Sequence, residues 1–118
     1  MSSSSEYMLI NKKTDLALID SPKFNSTSAK EIFVYISGFK LFMQLLSNQR
    51  LLSSFMALIA FRNIDIKITL SNDENLNWNG NAEQAAALKS LLDRGITGKI
   101  GSRDLWIDLK EFAAHIRS

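Results

Sequence analysis

One arrangement recurs three times along this chain: a segment of alternating apolar and polar residues, a polar turn and return strand, then a segment with helical spacing. The units run Tyr7–Asp20 with a helix from Ser28 onward, Ile64–Gly80 with a helix over Asn81–Asp93, and Ile96–Leu109 with a helix over Lys110–Ile116. Asp15-Leu16-Ala17-Leu18-Ile19-Asp20 and Asp104-Leu105-Trp106-Ile107-Asp108-Leu109 share a pattern at the second strand of two units. A period of two puts one side of a strand in the core, and a period of 3.6 does the same for one stripe of a helix. The repeated switch between them predicts an α+β domain of β-hairpin–helix units, with an antiparallel sheet and the helices packed on one of its faces.

The chain has 118 residues, 46% apolar and 22% charged, which suits a single folded domain with its own core. Residues 1–6 read as a disordered tail and 7–118 as the domain. Met1-Ser2-Ser3-Ser4-Ser5-Glu6 has neither the basic nor the apolar segment of a secretory signal. The chain lacks cysteine, which rules out disulfides and thiolate metal sites and makes a reducing, cytoplasmic setting the default expectation. Its most apolar region, Ile32–Phe61, is broken by Lys40 and Arg50, and a membrane span needs about 20 apolar residues in a row, so no span is expected. The net charge of +2 comes from residues 1–60, with six Lys/Arg against four Asp/Glu, while residues 61–118 hold eight of each. No extended field of one sign follows from that balance.

Local signals divide the units. Asn11-Lys12-Lys13-Thr14-Asp15 is turn chemistry between Tyr7–Ile10 and Leu16–Asp20. Ser28 and Glu31 have capping-box spacing before a helix carrying Ile32, Tyr35, Ile36, Phe39, Phe42, Met43 and Leu46, which Gly38 would bend. Ser47-Asn48-Gln49-Arg50 would cap a second helix over Leu51–Phe61. Ile64-Asp65-Ile66-Lys67-Ile68-Thr69-Leu70 is the clearest strand, with Leu76-Asn77-Trp78-Asn79 as its return. Asn81 and Gln84 would cap a helix whose stripe is Ala85, Leu88 and Leu92, and Gly95 suits its end. Ile96, Gly98 and Ile100 then pair with Leu105, Ile107 and Leu109 across Gly101-Ser102-Arg103-Asp104, with a single helix from Ser102 to Ile116 as the rival arrangement.

Catalytic chemistry finds little footing. His115 is the lone histidine and has no cysteine or second histidine near it in sequence, so neither a metal nor a nucleophilic constellation is expected. Asp104 and Asp108 flank the last strand on an outward, solvated face, whereas general acid–base work usually needs a carboxylate pair in a pocket. Gly95, Gly98 and Gly101 follow a helix and enter a hairpin, unlike a phosphate loop, which lies between a strand and a helix. The expectation is therefore a non-enzymatic protein with no cofactor and no metal.

Two surfaces could bind a partner. The last hairpin presents Lys99 and Trp106 outward, with Arg94 before it, Arg103 at its turn and Lys110 after it, a mixture suited to phosphates and bases. The stretch 29–61 holds more large apolar residues than one helical stripe needs, and Phe39, Phe42, Leu45, Leu52 and Phe55 are its candidate interface with a protein or a second copy.

Asp93-Arg94-Gly95-Ile96, Lys99-Ile100, Leu105, Ile107-Asp108-Leu109-Lys110, Ala113 and Ile116 resemble the last helix–hairpin–helix of the double-wing DNA-binding domain of T4-type phage middle-promoter transcription activators. Ile64–Gly80 stands where that domain has another hairpin. The resemblance covers about 45 C-terminal residues and implies wings lying on duplex DNA, with Lys99, Arg103 and Lys110 on the matching wing. Asp104, Asp108 and Glu111 depart from it by interleaving acidic charge. The resulting expectation is a regulatory module that binds duplex DNA through its C-terminal hairpin. The alternative is a protein-interaction module, an adaptor, inhibitor or immunity-type protein, using the apolar helices 29–61.

Overall fold

The computed structural model of the chain describes residues 5–72 and 78–116. Five strands, β1 (Ser5–Ile10), β2 (Glu31–Ser37), β3 (Asp65–Ser71), β4 (Thr97–Ser102) and β5 (Leu105–Asp108), lie in one sheet in sequential order. β1 to β4 run parallel, and β5 turns back antiparallel to β4. A 3-10 helix (Lys13–Asp20) and α1 (Pro22–Asn25) join β1 to β2, while α2 (Phe39–Leu46) and α3 (Gln49–Arg62) join β2 to β3. α4 (Ala82–Asp93) precedes β4, and α5 (Leu109–Ala114) follows β5.

Helices and strands share one core, as an α+β domain requires, and the helices lie on one side of the sheet. Crossovers between parallel strands take a single hand, so strands laid down in consecutive order carry every crossover on the same face. Met8 and Ile10, Ile32, Val34 and Ile36, Ile66, Ile68 and Leu70, and Ile100 point to that face and are buried. Phe24, Phe42, Phe55, Leu88 and Phe112 meet them from the helix layer. Trp78 closes one end, its ring 6.1 Å from Phe39 and 6.4 Å from Phe112.

The antiparallel, hairpin-built sheet expected from the sequence is corrected at two of its three units. Residues 13–20 form a 3-10 helix in place of a return strand. The Asp15 carboxylate accepts from the backbone N–H groups of Asn11 and Lys12 and winds the chain there, and only Leu16 and Ile19, three apart, are buried within it. Residues 31–37 are a strand, not the start of a helix, with Ile32, Val34 and Ile36 in register with Ile66, Ile68 and Leu70. The helical spacing across this region arose from merging strand positions with those of α2 across Gly38. That residue, at φ 100°, separates the two elements and bends no helix. β3 is hydrogen-bonded on both sides, to β2 and β4, so no antiparallel return can pair with it. Leu76 and Asn77 of the expected return lie outside the described residues, and Trp78 and Asn79 are not in a strand.

The shorter-range signals hold. Asn48 accepts the Leu51 N–H and caps α3, and Asn81 and Gln84 form a reciprocal capping box on α4. Gly95 follows α4 at φ 108°, and β4 and β5 form the hairpin in preference to one long helix. β1 already begins at Ser5, so Ser5 and Glu6 belong to the sheet and not to a tail. Gly98 is required by contact: a β-carbon there would stand 2.3 Å from the Ile68 carbonyl oxygen.

Candidate functional site: the open face of the sheet

The face opposite the helices carries no covering layer among the described residues. Side-chain alternation sends Tyr7 and Leu9, Phe33 and Tyr35, Lys67 and Thr69, and Thr97 and Lys99 to it. The parallel register sorts them into two rows across the strands, Tyr7–Phe33–Lys67–Thr97 and Leu9–Tyr35–Thr69–Lys99. Ser5, Glu31 and Asp65 flank the first row, and Ser37, Ser71 and Gly101 flank the second. Tyr7, Leu9 and Tyr35 are 58%, 56% and 39% exposed, a concentration of large apolar side chains that neighbouring elements do not hide.

The face is ordered by its own contacts. The rings of Tyr7 and Phe33 stack with centroids 5.3 Å apart and planes within 15°. The Lys67 ammonium stands 5.6 Å from the Phe33 centroid and 3.3 Å from the Glu31 carboxylate. Glu31 also accepts from the Ser5 hydroxyl at 2.8 Å, and that bond, aided by Lys67, holds its carboxyl below the ordinary carboxylate range. At the far side Lys99 lies over Trp106, 4.9 Å from the ring centroid. Glu31, Asp65 and Asp108 against Lys67 and Lys99 leave the face close to neutral.

The residues singled out from the sequence are divided by this geometry. Lys99 and Trp106 come together on the open face, with Arg103 beyond them in the exposed turn. Arg94 is the C-cap of α4 and precedes β4, so the strand, about 20 Å long, separates it from Arg103. Lys110 is exposed in the first turn of α5, a helix that packs into the core through Leu109 and Phe112. The apolar interface set is corrected: Phe39, Phe42, Leu45, Leu52 and Phe55 are between 0% and 8% exposed and form the core beneath the sheet. Their abundance reflects the demand of a helix pair that must cover a sheet as well as itself. Tyr7, Leu9 and Tyr35 were not singled out from the sequence. Their signal is a large side chain at every second position of a strand already apolar at the others, open to view at Tyr7 and Leu9 but at Tyr35 only once 31–37 is known to be a strand.

The remaining chemistry is structural. The Asp108 carboxylate accepts the Lys110 and Glu111 N–H groups at 3.0 and 3.4 Å and caps α5. His115, the C-cap of the same helix, is exposed, and its Nδ1 lies 2.9 Å from the Glu111 carbonyl oxygen. Among the described residues no group of three or more His, Cys, Asp or Glu is placed to hold a metal ion, and no helix is long and apolar enough to cross a membrane. A cleft of about 700 Å³ opens at the carboxyl ends of β2 and β3, between Ser37, Lys40, Ser71 and Asn79.

Compared with protein-family models, with curated proteins and with solved structures, the chain matches none.

Proposed function

We propose that this chain is a non-enzymatic binding module that meets a protein partner through the open face of its sheet. One observation carries the reading: Tyr7, Leu9 and Tyr35 stand in adjacent register, largely exposed, on a face that no described helix covers. Tyrosine-rich apolar centres edged by paired charges are the composition of protein interfaces, where aromatic anchors dominate the binding energy. The near-neutral charge supports a protein over a polyanion, since affinity for nucleic acid rests on neutralised phosphates. The test is affinity capture with wild type, with Tyr7→Ser/Leu9→Ser, and with Phe61→Ser, which alters an exposed residue of α3 on the other side of the domain. A partner held by wild type and by Phe61→Ser but lost from the double variant supports the reading. A partner held equally by all three overturns it.

A second reading, duplex DNA at the C-terminal hairpin, has its own observation in the Lys99–Trp106 pair beside Arg103. The resemblance to double-wing domains would make β4–β5 one wing, while β3, paired parallel on both sides, cannot form the hairpin that would serve as the other. Titration of duplex DNA across a salt series separates the readings: Lys99→Ala/Arg103→Ala should flatten the salt dependence if the hairpin grips phosphates.

A further inference from the structure

The open face is complementary to itself. We propose that a second copy of this chain covers it, the two sheets stacked about a two-fold axis that lies between them and runs across the strands. This rests on the reading of the face as a protein contact.

The register carries the argument. Such an axis exchanges the two central rows, so each residue meets the one two places along the same strand in the other copy. Tyr7 faces Leu9, Phe33 faces Tyr35, Lys67 faces Thr69, and Lys99 faces Thr97. The flanking rows exchange as well, setting Glu31 opposite Ser37 and Asp65 opposite Ser71. The apolar half of the face, on β1 and β2, therefore lies over its own copy, the lysines lie over threonines, and no like charges stand directly opposite each other. An axis along the strands between β2 and β3 fails on both counts. It sets Glu31 against Asp65 and lays the apolar half over the lysine-bearing half, leaving large side chains against charges. Of these two arrangements the one across the strands satisfies burial and charge together while covering all of the strands, and like any two-fold contact it closes on itself as a dimer.

The area sets the strength. Strands of four to seven residues, about 3.3 Å per residue and about 4.8 Å apart, present roughly 500 Å² per copy, or about 1,000 Å² for the pair, the lower bound of a specific interface. A contact of that size belongs with the weak, transient class and should dissociate on dilution.

Sedimentation velocity over about 1 to 500 µM protein should show a reversible monomer–dimer equilibrium. Leu9→Lys/Tyr35→Glu should weaken it at least about tenfold, and Phe61→Ser should leave it unchanged. Because the chain has no cysteine, the register can be read directly. A mixture of Phe33→Cys and Tyr35→Cys proteins, treated with a short bifunctional maleimide, should give mainly the mixed cross-linked dimer. Neither variant alone should cross-link as well. A chain that stays monomeric throughout, a dimer indifferent to Leu9→Lys/Tyr35→Glu, or same-site cross-links that dominate the mixture would each overturn the proposal. If the chain is monomeric yet loses a captured protein on Tyr7→Ser/Leu9→Ser, the second copy is wrong and the protein-contact reading stands. If capture is also unchanged, both fall.

Discussion

On β2, Ile32, Val34 and Ile36 are shut beneath the helix layer, whereas Phe33 and Tyr35, one residue away along the same strand, remain partly in solvent. The sheet thus has two apolar faces with different reasons for being apolar. The covered face holds the fold together: burial of a large side chain there is worth about 1.5–3 kcal/mol. The open face gains little of this, because its side chains keep much of their contact with water. Large side chains at positions that do not stabilise the isolated domain point to a use outside it. The contrast teaches that strand hydrophobicity has to be apportioned by face before it is assigned to core or to interface.

That contrast can be broken by mutation, in order of expected effect. Phe42→Ala, at a fully buried site of α2, should cost about 3–5 kcal/mol in urea unfolding, whereas no open-face truncation should approach this. Gly98→Ala drives a β-carbon against the Ile68 carbonyl and should cost about 1–3 kcal/mol by strain at the β3–β4 pairing, with the β4–β5 hairpin following β4. Asn81→Ala removes the α4 cap and should cost about 1 kcal/mol by the same measurement. Leu9→Ser should change stability by no more than about 0.5 kcal/mol while weakening association, and a large loss of stability there would erase the distinction between the faces.

Acid should act on both sides of the sheet through two carboxylates. The Ser54 hydroxyl and Arg50 hold Asp20 below its ordinary range on the helix side, and Ser5 and Lys67 do the same for Glu31 on the open side. A carboxyl that is more acidic folded than unfolded contributes its stability above the unfolded pKa and loses it as pH falls through the folded one. The loss should therefore set in below about pH 4 and deepen with acidity. Thermal midpoints against pH should fall less steeply for Ser54→Ala and for Ser5→Ala than for wild type. Both pairs lie at the surface with their cations largely in solvent, so the change in slope should be small.

Much of the local structure is legible in the sequence because its causes are local. Asn81 with Gln84, Asn48 before α3, the alternation Ile66-x-Ile68-x-Leu70 and the hairpin at Ser102–Leu105 each act within a few residues, and each stands as expected. The misread stretches are those in which one pattern satisfies two periods. Ile32, Ile36 and Phe39 fit helical spacing as well as they fit a strand that ends before a helix, and Leu16-Ala17-Leu18-Ile19 offers Leu16 with Leu18 to a strand as readily as Leu16 with Ile19 to a 3-10 turn. Of the candidate residues, Lys99 and Trp106 were brought together because a two-strand hairpin is itself local. The cluster of Tyr7, Leu9 and Tyr35 joins strands more than twenty residues apart, and no local signal records it.

By itself the sequence determined that helices and strands would alternate around one core, because amphipathic period and caps are properties of short segments. Only the tertiary structure decided that β1 to β4 run parallel in chain order, because strand pairing is chosen by long-range packing and by the single hand of the crossovers. That choice put every described helix on one side, and so made the Tyr7–Tyr35 face a surface when an antiparallel hairpin reading had no place for it.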